Sequence, residues 1–238
     1  MGKTCSEYRA AARGALRGKY WYAFGMCILV SVISGLVNGV VKLINQLSGG
    51  TESRSSMYEI NAMTGNNQTI AGLIVLIGLT IFVILPLSIG LIRYFVLNAK
   101  GKADINELVY PYKNNLMNII GTEIKKGLFL YLWTLLLIIP GIIKSYSYYM
   151  VDFIIAENPY ITSKRAFEIS KQAMNGYKMK AFLLGLSFIG WVLLSMLTFG
   201  IGFLFIVPYM QAAQTELYLD IKTSAFERGI IMDGELPR

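Results

Sequence analysis

Thirty-five consecutive residues, Ala181 to Thr215, carry no charge. As one α-helix they would run about 52 Å, against a bilayer hydrocarbon core about 30 Å thick. A stretch that long and that apolar has to fold back. The sequence marks where: Thr198-Phe199-Gly200-Ile201-Gly202 sets two glycines at the midpoint, and glycine adopts turn dihedrals that other residues resist. Each arm then keeps about 17 residues, roughly 26 Å of helix, enough to cross. The stretch predicts a membrane hairpin and, with it, an all-α polytopic transmembrane bundle.

The same reading extends along the chain. Tyr20 to Val41 is an uncharged run of 22 residues opened by Tyr20-Trp21-Tyr22, an aromatic belt of the kind found at membrane interfaces. Its apolar core is longer than a signal peptide's and no small-residue cleavage site is clear, so it reads as an uncleaved first span. Ile70 to Ile92 gives 23 uncharged residues, with a kink expected at Pro86. Gly127 to Ala156 carries only Lys144 and Asp152, with Pro140-Gly141 near its middle. That pair predicts a turn, joining either two full crossings or a re-entrant pair meeting at mid-depth. Asn158-Pro159 ends the fourth span. The expected architecture is about six spans in three hairpins, plus amphipathic cytoplasmic helices.

Basic residues set the threading. Residues 1–19 hold Lys3, Arg9, Arg13, Arg17 and Lys19, and Thr4 with Glu7 fits a capping box. Tyr8, Ala11, Ala12, Ala15 and Leu16 form a helical stripe, while Arg9, Arg13 and Arg17 recur on another face. This predicts a basic amphipathic helix on the inner leaflet, with the three arginines as contacts for anionic lipid headgroups. The loop at 45–69 is polar and rich in turn residues, with Arg54 its one basic residue, and is placed outside. The loops at 98–124 and 157–180 and the tail at 223–238 are placed in the cytoplasm. Of the 22 basic residues, 18 fall in segments read as cytoplasmic and Arg93 at a boundary, leaving Lys42, Arg54 and Lys144 outside. That asymmetry follows the positive-inside rule. The expectation is a multi-pass protein of the cell membrane with both termini cytoplasmic and a transmembrane domain over 20–222.

Composition narrows the chemistry. Hydrophobic residues make up 55% of the chain and charged ones 15%, below the roughly 25% charged of soluble domains. The net charge of +8 fits loops facing anionic lipid, not nucleic acid. There is no histidine, which removes the commonest general base and metal ligand. Cys5 and Cys27 cannot build a zinc site alone. Ser187 lacks the glycine elbow of a serine hydrolase. No cofactor and no enzymatic activity are expected.

One polar group stands out. On a regular helix from a turn at Pro140-Gly141, Asp152 would lie about 15 Å down, near the bilayer centre. Intramembrane carboxylates usually face the bundle interior with a partner. Gln211 falls at similar depth on the sixth span, and Tyr148 and Tyr149 share the helix side of Asp152. These residues predict a polar seam of Tyr148 or Tyr149, Asp152 and Gln211 between spans four and six. The alternative is a tilted or re-entrant fourth span whose Asp152 reaches cytoplasmic water. Tyr146, Tyr148 and Tyr149 also suit an interface anchor or the wall of a pore.

Several strings carry a resemblance. Ile138-Ile139-Pro140-Gly141-Ile142-Ile143-Lys144-Ser145-Tyr146-Ser147-Tyr148 and Ala156-Glu157-Asn158-Pro159 resemble motifs of the bacterial membrane family called domain of unknown function 975. Met174-Asn175-Gly176-Tyr177-Lys178, Leu186 to Trp191, Thr198 to Gly202 and Pro208-Tyr209 follow in the same order. The resemblance covers residues 105–222, and Arg9 to Trp21 is similar to the family's basic N-terminal segment. It implies a bacterial, Gram-positive integral membrane protein and lends no activity, substrate or catalytic residue. Three functions are compatible with the sequence: a non-enzymatic envelope scaffold or partner-binding membrane subunit; a transporter or channel for a small solute, ion or lipid; and a lipid-modifying enzyme. The first is favoured, with lipid and another membrane protein as partners. The third lacks an acid cluster or histidine.

Overall fold

The computed structural model describes residues 3–48, 70–198 and 200–237. Every described element is helical. Most of the outer loop at 45–69 lies outside the described residues.

Helix α1 (Cys5–Leu16) opens where the Glu7 carboxylate accepts the Thr4 N–H at 2.5 Å. Its stripe of Tyr8, Ala12 and Leu16 is buried. Gly18, at φ +77°, turns the chain into α2 (Tyr20–Ser48), which outruns the uncharged stretch. Helices α3 (Ile70–Leu79) and α4 (Leu85–Ala99) are joined through a π-helical turn, Thr80–Ile84. Pro86 explains that turn: it has no N–H, and its ring crowds the carbonyl four residues back, so the wider turn accommodates it.

A 3₁₀ turn (Ile105–Val109) and α5 (Tyr110–Lys113) then cross α4. The crossing is so close that a Cβ on Gly90 would lie 2.8 Å from two backbone carbons of Leu108. Helices α6 (Leu116–Leu136) and α7 (Ile138–Ser147) form a tight hairpin. The break falls at Leu137, whose backbone is extended, three residues before the expected Pro140-Gly141 turn. Proline in the first turn of a helix sacrifices no internal hydrogen bond, so Pro140 helps start α7. Gly141 instead supplies close approach: a Cβ there would sit 2.7 Å from Thr134 Oγ1 on α6.

The chain turns again at 148–150 before α8 (Val151–Glu157). Helix α9 (Ser163–Ala173) is capped by Thr162, and Gly176 at φ +86° leads on to α10 (Lys178–Leu186). Helix α11 (Ile189–Leu197) ends at a reversal where Gly200, at φ +86°, starts α12 (Ile201–Glu227). At Gly202 a Cβ would fall 2.7 Å from Ser195 Oγ, so the two arms touch.

Three stretches among the described residues are long and apolar enough to cross a membrane: Tyr20–Val40, Ile74–Ala99 and Lys178–Leu197. The hairpin α6–α7 is too short beyond Lys126, with ten residues left on α6 and ten on α7. Burial is concentrated where α1, the end of α4, the start of α6, α8, α9 and the end of α12 meet. Tyr8, Phe95, Ile119, Ile154, Ile169 and Tyr218 are fully enclosed there. Large exposed apolar residues line α2, the tip of the α6–α7 hairpin and α11.

Candidate functional site

Hairpin α6–α7 does not pack flush against its neighbours. Between it and α4, α10 and α12 lies a cavity of about 460 Å³. Tyr148, Tyr149, Asp152 and Gln211 all line it, together with Lys126, Tyr146 and Gln214. Asp152 does not pair with Gln211, however. Its carboxylate accepts a short hydrogen bond from Lys126 Nζ, and Lys126 also meets Glu123 at 2.8 Å. The link from this wall to α12 is made by Tyr149, whose hydroxyl donates to the Gln214 carbonyl at 3.1 Å. The expected depth of Asp152 assumed one regular helix from the Pro140-Gly141 turn. Instead α7 stops at Ser147 and Asp152 belongs to the first turn of α8. It therefore sits level with Lys126, the residue before the hairpin's apolar arm.

One lysine between two carboxylates leaves an excess negative charge in a confined space. Burial, and then the charge of Asp152, push the Glu123 carboxyl up to about 8, with Lys126 opposing. Its Oε1 has no hydrogen-bond partner among the described residues.

Arg9, Arg13 and Arg17, the expected lipid contacts, lie on α1 and at its C-cap. Helix α1 is docked onto protein: Tyr8 OH donates to Asp220 Oδ2 at 2.5 Å, and Tyr209 OH donates to the Arg9 carbonyl at 3.2 Å. Burial and the Asp220 carboxylate hold the Tyr8 phenol well above its ordinary value. Asp220 is thereby a structural acceptor, not a solvated acid. Arg13 and Arg17 remain exposed at the edge of a groove of about 540 Å³ floored by Tyr20, Trp191 and Phe205.

Sequence reasoning missed a highly connected residue. Glu157, buried at the end of α8, receives Lys100 Nζ at 3.0 Å, Tyr218 OH at 2.6 Å and a short contact from Lys222 Nζ. Burial lowers the Lys222 ammonium from its usual value, while Glu157 opposes the shift. Arg93 caps the same helix end, donating to the Ala156 carbonyl at 2.8 Å and holding Glu107 at 2.6 Å. Asn118 donates to the Pro159 and Ile161 carbonyls at 2.8 and 2.7 Å. Asn158 donates to the Glu235 carbonyl at 2.9 Å, and Arg165 grips the Glu235 carboxylate at 2.7 and 3.0 Å. Ala156-Glu157-Asn158-Pro159 is thus a hub joining α4, α6, α8, α9, α12 and the C-terminal tail. The signal available was a lone acid ending the apolar run Phe153 to Ala156, a position that calls for a partner.

The described residues, all-helical in their elements and with three helices long and apolar enough to span a bilayer, have the features of the helical membrane proteins as a class. The chain belongs to the family described as Protein of unknown function (DUF975), whose model matches residues 60–225, more than half of its length. No curated protein and no solved structure matches it.

Proposed function

We propose that this protein is a non-enzymatic, multi-pass scaffold of the bacterial cell membrane, with both termini in the cytoplasm. Helix α2, the α3–α4 rod, the α10–α11 pair and α12 cross the bilayer; the α6–α7 hairpin enters from the cytoplasmic face and returns to it. The observation that carries this reading is the use made of buried charge. Around Glu157, Arg93 and Arg165 each charged group ties one helix or the tail to another. That is what a rigid cytoplasmic platform on membrane anchors requires.

Two features bear on the threading. Lys144, expected outside, lines one groove with Lys125, Lys164 and Lys171, which belong to cytoplasmic segments. Each ten-residue arm of the hairpin is about 15 Å long, half of the hydrocarbon thickness. On this reading the re-entrant form of the Gly127–Ala156 pair holds, giving four crossings and a re-entrant pair with the parity unchanged.

Cysteine labelling in a Cys5→Ser, Cys27→Ser background tests this. Tyr58→Cys should react with a membrane-impermeant reagent from outside, whereas Met232→Cys and Leu137→Cys should not. Labelling of Leu137→Cys from outside would restore a full crossing; labelling of Met232→Cys would reverse the termini.

A second reading, passage of a small solute, draws on the cavity with its Lys126–Asp152 pair, since ionisable groups facing a cavity between membrane helices often mark a pathway. Proteoliposome flux that falls in Asp152→Asn would favour it over the scaffold.

A further inference from the structure

A second groove, of about 680 Å³, lies between α6–α7 and the length of α9, with Tyr148 shared between it and that cavity. Lys125 and Lys144 reach it from the hairpin, Lys164 and Lys171 from α9. These four differ from the lysines of the cytoplasmic core. Lys100, Lys126 and Lys222 each hold a carboxylate within 3.0 Å; none of the four has a carboxylate partner among the described residues. Lys125 has a 3.3 Å contact with the Ser163 hydroxyl, and Lys144 lies 4.6 Å over the Trp133 ring. Among the described residues the one acid lining the groove, Glu168, is 3.3 Å from Arg165. Four ammonium groups facing one carboxylate leave an uncompensated positive field.

Next to that field the surface turns apolar. Phe129 and Trp133 form part of the groove, and Leu132 and Leu136 continue it along α6 to the hairpin tip. Leu132 and Leu136 are 51% and 67% exposed among the described residues. A cationic pocket opening onto an exposed apolar track matches an amphiphile with an anionic head. A free anion would leave the track bare, and a neutral lipid would leave the lysines unpaired.

We propose that this groove is a binding site for an anionic phospholipid, its phosphate held among Lys125, Lys144, Lys164 and Lys171 and its acyl chains laid along Trp133, Leu132 and Leu136. The site rests on the placement of the hairpin in the bilayer, which the Leu137→Cys labelling reads independently. It is separate from the Arg13–Arg17 groove.

Native mass spectrometry of the full chain, released from detergent and titrated with phosphatidylglycerol or phosphatidylcholine, tests the proposal. Phosphatidylglycerol should bind preferentially. Juxtamembrane basic groups each contribute about fivefold in affinity, so the Lys144→Gln, Lys164→Gln, Lys171→Gln triple variant should weaken it about a hundredfold. The same three lysines changed to arginine should retain it, as should Arg13→Gln with Arg17→Gln. Trp133→Ala should weaken the phospholipid and leave glycerol phosphate binding unchanged. Equal binding of the two lipids by the wild-type chain overturns the proposal without any variant. So does an unaltered affinity in the glutamine variant, or displacement of the lipid by millimolar inorganic phosphate, which would make the groove a free-anion site.

Discussion

Helices α2 and α8 are both apolar and bury opposite shares of themselves. Only 22% of the most apolar window of α2 is enclosed by protein, whereas six of the seven residues of α8 are. Trp21, Leu36 and Val32 on α2 are more than half exposed, while Val151, Ile154 and Ile155 on α8 are fully buried. The difference teaches how one chain serves two solvents. A helix whose apolar surface faces outward on all sides needs hydrocarbon around it, with every backbone group bonded internally. A seven-residue helix is too short for that and persists by packing. Charges divide the same way. The window of α2 contains none, whereas α8 ends in a carboxylate that gathers two lysines and a tyrosine.

The largest test of this contrast is at the hub. Glu157→Leu removes the acceptor and leaves Lys222 buried beside Lys100. Breaking one side of a buried charge group costs about 3–5 kcal/mol, so thermal unfolding of the detergent-solubilised chain should drop steeply. Glu157→Gln, which keeps an acceptor oxygen, should lose less. An unchanged midpoint in Glu157→Leu would mean that the core does not depend on its hub.

Two glycines give the next effect. Gly90→Ala drives a methyl into the backbone of Leu108, which cannot rotate away, whereas Gly141→Ala meets Thr134 Oγ1 at its closest point. Overpacking costs about 1–3 kcal/mol, and Gly90→Ala should be the more damaging. The reverse order in a melting comparison would place the tighter contact in the hairpin.

The pH dependence separates two carboxylates. Glu123, raised from 4.5 to about 8, contributes stability that is full below pH 4.5 and fades as pH rises through about 8. Glu235, held below 4.5 by Arg165, behaves oppositely: its contribution is full above pH 4.5 and is lost as pH falls through its own lower value. Glu123→Gln should therefore flatten the decline in stability between pH 4.5 and 8, and Glu235→Gln should flatten the acid limb. A wild-type slope in both variants would remove these groups from the account.

The smallest effect belongs to the exposed hairpin tip. Leu135 is 70% exposed near the hairpin tip, and substitutions at such positions usually fall within about 0.5 kcal/mol. Leu135→Ala should leave the midpoint in detergent almost unmoved. A drop comparable with Gly90→Ala would mean that the tip packs on protein.

Much of this organisation was legible in the residues. The runs at Tyr20–Val41 and Ile70–Ile92, the reversal at 198–202 and the Thr4–Glu7 start of α1 each follow from neighbours within about ten positions. Local geometry settles such features, because hydropathy and turn dihedrals act over one or two helical turns. The Pro140-Gly141 turn was misplaced by the same kind of reasoning. Proline starts a helix as readily as it stops one, and only the contact of Gly141 with Thr134 distinguishes the two.

What only the tertiary structure decided is pairing. Asp152 and Gln211 reach the same cavity, yet Asp152 bonds to Lys126, 26 positions earlier. Lys144 looked like an outer-loop charge and stands among lysines of the opposite assignment. Glu157 finds Lys222, 65 positions away. By itself the sequence determined that long stretches of this chain need a hydrocarbon solvent and where the chain reverses between them, since burial preference is a property of each residue and its neighbours. Which charges meet depends on how helices far apart in the chain come to lie together, and no residue carries that in its own chemistry.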